Sequence, residues 1–152
     1  MKSGHLFSFA LIVTRTAKPG LLSSEKYSRL GMQQQSQDED QARRQLESGR
    51  SFARQGNYPE APRDFRVVAE TYASTSVAHN ALLEIARYFL DIADDPNQAA
   101  GAVETILKRY PTSDSAPDAY LITGRLAMNK SHDSGDLDTA LANFDRVSRL
   151  FP

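Results

Sequence analysis

The sequence contains no cysteine, and this absence excludes several kinds of structure and chemistry at once. Disulfide bonds, thiolate metal sites, a cysteine nucleophile and a lipid-carrying cysteine all need a thiol that the chain does not have. A chain without thiols suits an oxidising compartment, because no cysteine can form a wrong disulfide there.

The net charge of the chain is also close to zero. The chain has 18 Lys and Arg residues against 19 Asp and Glu residues, so its formal net charge is −1. No overall field therefore attracts nucleic acid or an anionic membrane. Hydrophobic residues make up 40% of the 152 residues and charged residues 24%, a balance typical of one ordinary soluble domain.

Residues that could carry catalysis or bind a cofactor are few. The three histidines, His5, His79 and His132, lie in separate segments without metal-ligand spacing, and we expect each to be exposed to solvent. Residues 133–138, DSGDLD, resemble half of a calcium loop, but the closing glutamate is missing, which favours helix-capping acids. The sequence predicts neither an enzyme nor a metal or cofactor site.

The first 40 residues are interpreted as a leader and linker. Lys2 precedes the apolar run HLFSFALIV at 5–13, which has the length of a signal-peptide core and is too short to span a bilayer. A disordered leader or a mis-set start codon is the alternative, because no clear cleavage site follows. Residues 14–40 lack apolar periodicity and are predicted to be a disordered, flexible linker.

From residue 41 onward the sequence has helical periodicity and repeats itself. Residues 69–87 match 107–125 when shifted by 38 positions. We therefore predict a repeat domain at 41–152, made of three helix-turn-helix units at 41–75, 76–113 and 114–152. The first helices of the units are predicted near 41–54, 77–91 and 116–129, and the second helices near 59–72, 97–109 and 137–150.

Small residues recur at fixed places in these units. A glycine inside a helix costs about 1 kcal/mol relative to alanine, so its recurrence predicts close approach of a neighbouring helix. The middle of the first helix has Gly49, Ala86 and Gly124; the start of the second helix has Ala61, Ala99 and Ala140; and four residues later come Phe65, Val103 and Phe144.

This pattern resembles the tetratricopeptide repeat (TPR), which places small, alanine and aromatic residues in the same order and ends its unit with a proline. Val103 replaces the aromatic of the middle unit, and Ala73 replaces the proline that Pro111 supplies one unit later. The resemblance implies an all-α, right-handed α-solenoid of six helices. The Y-P-x-S-x-x-A turn at 110–116 is similar to bacterial envelope members, such as the TPR lipoprotein of outer-membrane protein assembly and the periplasmic coordinator of the Tol-Pal system.

In the TPR family the first helices line a concave groove, and the residue after the small one faces into it. The resemblance thus implies a protein-binding scaffold with a ladder of arginines, able to hold an acidic peptide or a C-terminal carboxylate. The alternative is that each arginine pairs with a nearby acid such as Glu47 or Glu84. The predicted groove residues are Arg50, Arg54, Asn80, Leu83, Arg87, Leu90, Leu121, Arg125 and Met128.

The resemblance favours a periplasmic or cell-envelope location, with the cytoplasm as the alternative. The last unit has an apolar face with no further helix to cover it, formed by Leu141, Phe144, Val147 and Leu150. We expect either that the chain continues beyond Pro152 in a longer array or that a partner covers this face. Two other functions stay open: an oligomeric building block that associates through this face, and an accessory domain of a longer protein.

Pro62 is a predicted defect of the repeat. If the second helix of the first unit begins at Pro59, Pro62 is its fourth residue and removes the first intrahelical hydrogen bond. The sequence then predicts a frayed or bent first turn, and a gain in stability when Pro62 is replaced by leucine.

Overall fold

The computed structural model describes residues 24–130 and 134–151, and these residues form helices without any strand. The all-α prediction is confirmed. The predictions made for residues 1–23, including the secretory segment, and for His132 lie outside the described residues. The helices are α1 (Ser24–Arg54), α2 (Ala61–Thr71), α3 (Ala78–Asp91), α4 (Pro96–Arg109), α5 (Ala116–Lys130) and α6 (Ser134–Leu150).

The first helix is much longer than predicted. The prediction of a disordered linker up to residue 40 is wrong for residues 24–40, which belong to α1. This segment has no apolar stripe, but its Gln, Glu, Lys, Leu and Met residues are good helix formers. Adding residues to an existing helix is also much easier than starting a new one.

The chain divides into two compact regions, residues 1–35 and 36–152. In the first region the described residues, 24–35, are helical and all their side chains are exposed. The second region contains the core and every site discussed below. Its helices α2 to α6 each pack against the next one, and α3 also packs against α5.

The second helix of the first unit begins later than predicted, at Ala61 rather than Pro59. Glu60 is the N-cap, and Pro62 is the second helical residue. The first N–H groups of a helix have no intrahelical partner, so Pro62 removes no hydrogen bond at this position. The predicted position of Pro62 as the fourth helical residue is therefore wrong. The predicted loss of a regular first turn agrees with the structure, in which residues 58–60 form a turn and the helix proper begins at Ala61.

The turns that join successive units share one hydrogen-bond pattern. The backbone N–H and side-chain hydroxyl of Thr75 both donate to the carbonyl oxygen of Tyr72, at 2.9 and 2.7 Å. Ser113 makes the same two bonds to Tyr110, at 3.0 and 2.8 Å. The repeat in the sequence is thus a repeat of local structure, because a hydroxyl three residues after the tyrosine closes each turn.

Small residues allow the two helices of a unit to approach each other. A Cβ added to Gly49 would lie 2.6 Å from Cε1 of Phe65, and one added to Gly124 would overlap the ring of Phe144. The middle unit has Ala86 in place of the glycine and Val103 in place of the phenylalanine, and both are buried. The extra methyl group of alanine is thus matched by a partner side chain smaller than phenylalanine. The close approach predicted from the glycines is confirmed.

Candidate functional site

The three arginines that follow the small residues all form ion pairs between units. Each guanidinium donates a hydrogen bond to a carboxylate on the first helix of a neighbouring unit. The pairs are Arg50–Glu84 at 2.9 Å, Arg87–Asp118 at 2.8 Å and Arg125–Asp91 at 2.7 Å.

These pairs lie at the protein surface. The three arginine side chains are between 39% and 52% exposed. Exposed ion pairs of this kind stabilise a fold by only about 0–1 kcal/mol each. The pairs therefore contribute little to holding the helices together. Their main effect is to fix the positions of guanidinium groups that recur in a line along α1, α3 and α5.

Arg54 pairs within its own helix. Its guanidinium donates to Glu47 at 2.7 Å, and both side chains are more than half exposed. This hydrogen bond holds the pKa of the Glu47 carboxyl below its usual value. The acids named in the alternative interpretation, Glu47 and Glu84, are thus real partners of the predicted groove arginines, and the ladder is a line of paired charges.

The other predicted groove residues differ in exposure. Leu121 and Met128 are exposed on α5, whereas Leu90 is half-buried. Leu83 is buried in the hydrophobic core, so in this structure it supports α3 rather than offering surface to a ligand. Asn80 is half-buried, and its side-chain oxygen accepts a hydrogen bond from the Ser115 hydroxyl at 3.0 Å.

A small cleft opens beside this line of charges. Its volume is about 120 Å³, enough for a few water molecules or a small side chain. Arg87 and Asp91 contribute polar groups to its wall, and the aromatic rings of Tyr58 and Tyr88, 6.4 Å apart, contribute apolar surface. Neither tyrosine was predicted as a groove residue. Tyr58 precedes α2 and lies outside any helical pattern, and Tyr88 of α3 directly follows Arg87 in the sequence.

The prediction that His79 is exposed is wrong. Its side chain is only 13% exposed, and its Nδ1 atom lies 2.9 Å from the Ser115 hydroxyl and 3.2 Å from a carboxylate oxygen of Asp114. Ser115 donates its own proton to Asn80, so Nδ1 of His79 is the donor toward Ser115. Ser115 and Asp114 thus both contact Nδ1 of His79, and Ser115 is almost fully buried. This arrangement fixes a turn to α3 and does not suit a nucleophile.

Neither a metal site nor a membrane span is found in the described parts of the chain. No three His, Asp or Glu groups within residues 24–130 and 134–151 lie close enough together to hold a metal ion. None of the helices in those ranges is both long and apolar enough to cross a bilayer. Of the acidic segment at 133–138, residues 134–138 belong to α6, and residue 133 lies outside the described residues.

The geometry assembles a polar surface on α1, α3 and α5 in which arginines alternate with acids and border a small aromatic cleft. Comparison with known proteins finds no matching family model, no matching curated protein and no matching solved structure.

Proposed function

We propose that this protein is a non-catalytic scaffold of three TPR-like units, stacked as a right-handed α-solenoid, that binds an acidic peptide or a C-terminal carboxylate. The observation that supports this function best is the line of guanidinium groups Arg50, Arg87 and Arg125, each held by a carboxylate of a neighbouring unit. The repeated turn bonds and the glycine–phenylalanine contacts support the repeat architecture.

Binding proceeds by exchange of carboxylates. A guanidinium has five N–H donors, and within the described residues Arg87 uses one of them for Asp118. A ligand carboxylate either adds to the remaining donors or displaces the resident acid. Because a carboxylate already neutralises each arginine, one contact contributes no more than about 1.5 kcal/mol, and affinity has to come from several contacts along the line.

The location that fits this function is a bacterial cell-envelope complex, with the cytoplasm as the alternative. The resemblance of the 110–116 turn to envelope TPR proteins and the absence of cysteine both favour the periplasm. Mass spectrometry of the mature N-terminus tests this part of the proposal. An intact Met1 counts against a cleaved secretory segment.

The test of binding uses a fluorescein-labelled hexaglutamate peptide with a free C-terminal carboxylate. Fluorescence anisotropy at low ionic strength should give saturable binding that Arg87→Gln weakens about tenfold, since a hydrogen bond to a charged group contributes about 1.5 kcal/mol. Arg63→Gln on α2 is the matched control, because Arg63 is exposed and outside the line. Equal losses in both variants would show that only total charge matters, and would overturn the proposal.

Self-association through α6 is a second candidate function. Leu141 and Leu150 are 65% and 56% exposed, so much of the predicted apolar face lies at the surface. Phe144 and Val147 are half-buried, and Phe144 packs on Gly124. Sedimentation of the wild type and Leu141→Glu at about 100 µM distinguishes the functions: a dimer lost in the variant favours association, and a monomer in both excludes it.

A further inference from the structure

A second cleft lies between α4, α5 and α6, and it shares no residue with the predicted groove. Its volume is about 550 Å³, within the range typical of ligand sites. Its wall is mostly apolar and includes Val103 and Leu107 of α4, Leu126 and Ala127 of α5, and the methyl-bearing Thr139 of α6.

In the preceding unit, a phenylalanine side chain lies at the position equivalent to this cleft. Phe89 lies on α3 three residues after Ala86, and Ala127 lies on α5 three residues after Gly124, so the two positions are equivalent. Phe89 is buried at the junction of α2, α3 and α4, where its side chain lines two smaller clefts. Phe52 holds the same position on α1. Only the last unit has alanine there.

Two further pairs of matching positions line the clefts at both junctions. In the first junction, Arg66 donates to Gln98 at 3.1 Å and its guanidinium lies 5.5 Å from the centre of the Phe89 ring. The residues at these positions in the second junction are Glu104 and Thr139, and both line the larger cleft. Glu104 pairs with Lys108 of its own helix, 2.5 Å away.

We propose that this cleft binds one aromatic ring, presented by a phenylalanine side chain of a partner peptide. The ring takes the place that Phe89 fills one unit earlier, so the fold itself shows that a phenyl group is compatible with such a junction. The apolar wall supplies the affinity, because an aromatic ring buries a large area of apolar surface. The exposed Glu104–Lys108 pair lies at the polar edge of the cleft and leaves room for the peptide backbone in solvent.

The probe for this site is N-acetyl-L-phenylalaninamide, followed by methyl NMR of the full chain. We expect a dissociation constant on the order of 1 mM, as for a fragment of this size. The shifts should concentrate on Val103, Leu107, Leu126 and Ala127, with contacts between ring protons and these methyl groups. N-acetyl-L-alaninamide, which has the same backbone and no ring, should give no shift there.

Ala127→Phe supplies the missing ring within the chain. It should abolish the shifts and raise the melting temperature by roughly 2–8 °C, because the cleft is filled from inside. Ala142→Phe is the matched control: Ala142 is exposed on α6 and does not line the cleft, so probe binding should persist.

Three results would overturn the proposal. They are no methyl shift at 20-fold excess over the expected dissociation constant, equal shifts with the alanine probe, and unchanged binding in Ala127→Phe. If Ala127→Phe does not fold, Ala127→Leu decides, since its shorter side chain also fills the cleft and should weaken binding at least fivefold. Unchanged binding of the phenylalanine probe to Ala127→Leu would likewise overturn the proposal.

Discussion

Gly49 lies against the ring of Phe65 so closely that a Cβ on the glycine would lie 2.6 and 2.8 Å from two ring carbons. Phe65 is only 2% exposed, so its ring is part of the core. The contact joins α1 to α2 and is repeated in the last unit by Gly124 and Phe144. The glycine weakens its helix, but without it the aromatic ring could not pack between the two helices of the unit.

Gly49→Ala should lower the free energy of unfolding, because the added methyl overlaps Phe65. Gly101→Ala is the matched control, since a Cβ at Gly101 meets nothing within 4 Å and gains the same helix propensity. Chemical denaturation should place the two variants about 1–3 kcal/mol apart, which is the cost of overpacking a core. Equal stabilities would mean that Phe65 moves aside freely.

The middle unit suggests a rescue of that variant. Its buried Ala86 and Val103 occupy the positions of Gly49 and Phe65. A double variant, Gly49→Ala with Phe65→Val, should lose less stability than the sum of the two single changes, with a coupling of about 0.5–3 kcal/mol. A double-mutant cycle measures this coupling, and strict additivity would contradict the packing argument.

Asp91→Asn tests the exchange of carboxylates at the arginine line. Asp91 accepts a hydrogen bond from Arg125 at 2.7 Å, so its neutralisation releases a full positive charge on α5. We expect the hexaglutamate peptide to bind severalfold tighter, while stability falls by no more than about 1 kcal/mol. Asp118→Asn should act in the same way through Arg87. Unchanged or weaker binding in both variants would mean that the peptide does not contact the arginine line.

The helices and their contacts could be predicted from the sequence where the information is local. The period of apolar residues locates α2 to α6, and recurring glycines indicate where helices approach, because both signals lie within one unit. The extension of α1 to Ser24 was missed, since an exposed helix needs propensity but no apolar stripe.

The site depends on partners that are distant in sequence. Arg50 and Glu84 are 34 residues apart, and His79 and Ser115 are 36 apart. Glu84 was expected as a nearby acid for these arginines, but no local pattern shows that its partner is Arg50 of the preceding unit. Exposure of His79 was the wrong expectation because its partner comes from the following turn, which only the packed units bring close.

Replacement of Pro62 now has a different expected result. Because Pro62 is the second residue of α2, Pro62→Ala should change stability by no more than about 0.5–1 kcal/mol. Ala102→Pro, in the interior of α4, is the contrast and should cost about 3 kcal/mol or more. Thermal unfolding of both variants checks this. A large gain in melting temperature from Pro62→Ala would mean that the helix begins near Pro59, as the sequence predicted.

Glu39 makes the stability of the second region depend on pH. Its carboxylate accepts hydrogen bonds from the Ser76 backbone N–H, at 2.8 Å, and from the Ser76 hydroxyl, and it pairs with Arg43. The hydrogen bond from the Ser76 side chain is the largest cause that lowers the pKa of Glu39 below its usual value. The charged form is therefore favoured more in the folded chain than in the unfolded chain, where the pKa is about 4.3.

This stabilisation is present above the unfolded pKa and is lost as the pH falls through the lower folded pKa. Glu39→Gln should therefore lower the melting temperature at pH 7, and the gap to the wild type should narrow as the pH falls below about 4. Glu70→Gln is the control, because Glu70 is exposed on the surface of α2. A gap that stays constant between pH 7 and pH 3 would mean that the charge of Glu39 does not matter, and that Ser76 requires only an acceptor oxygen.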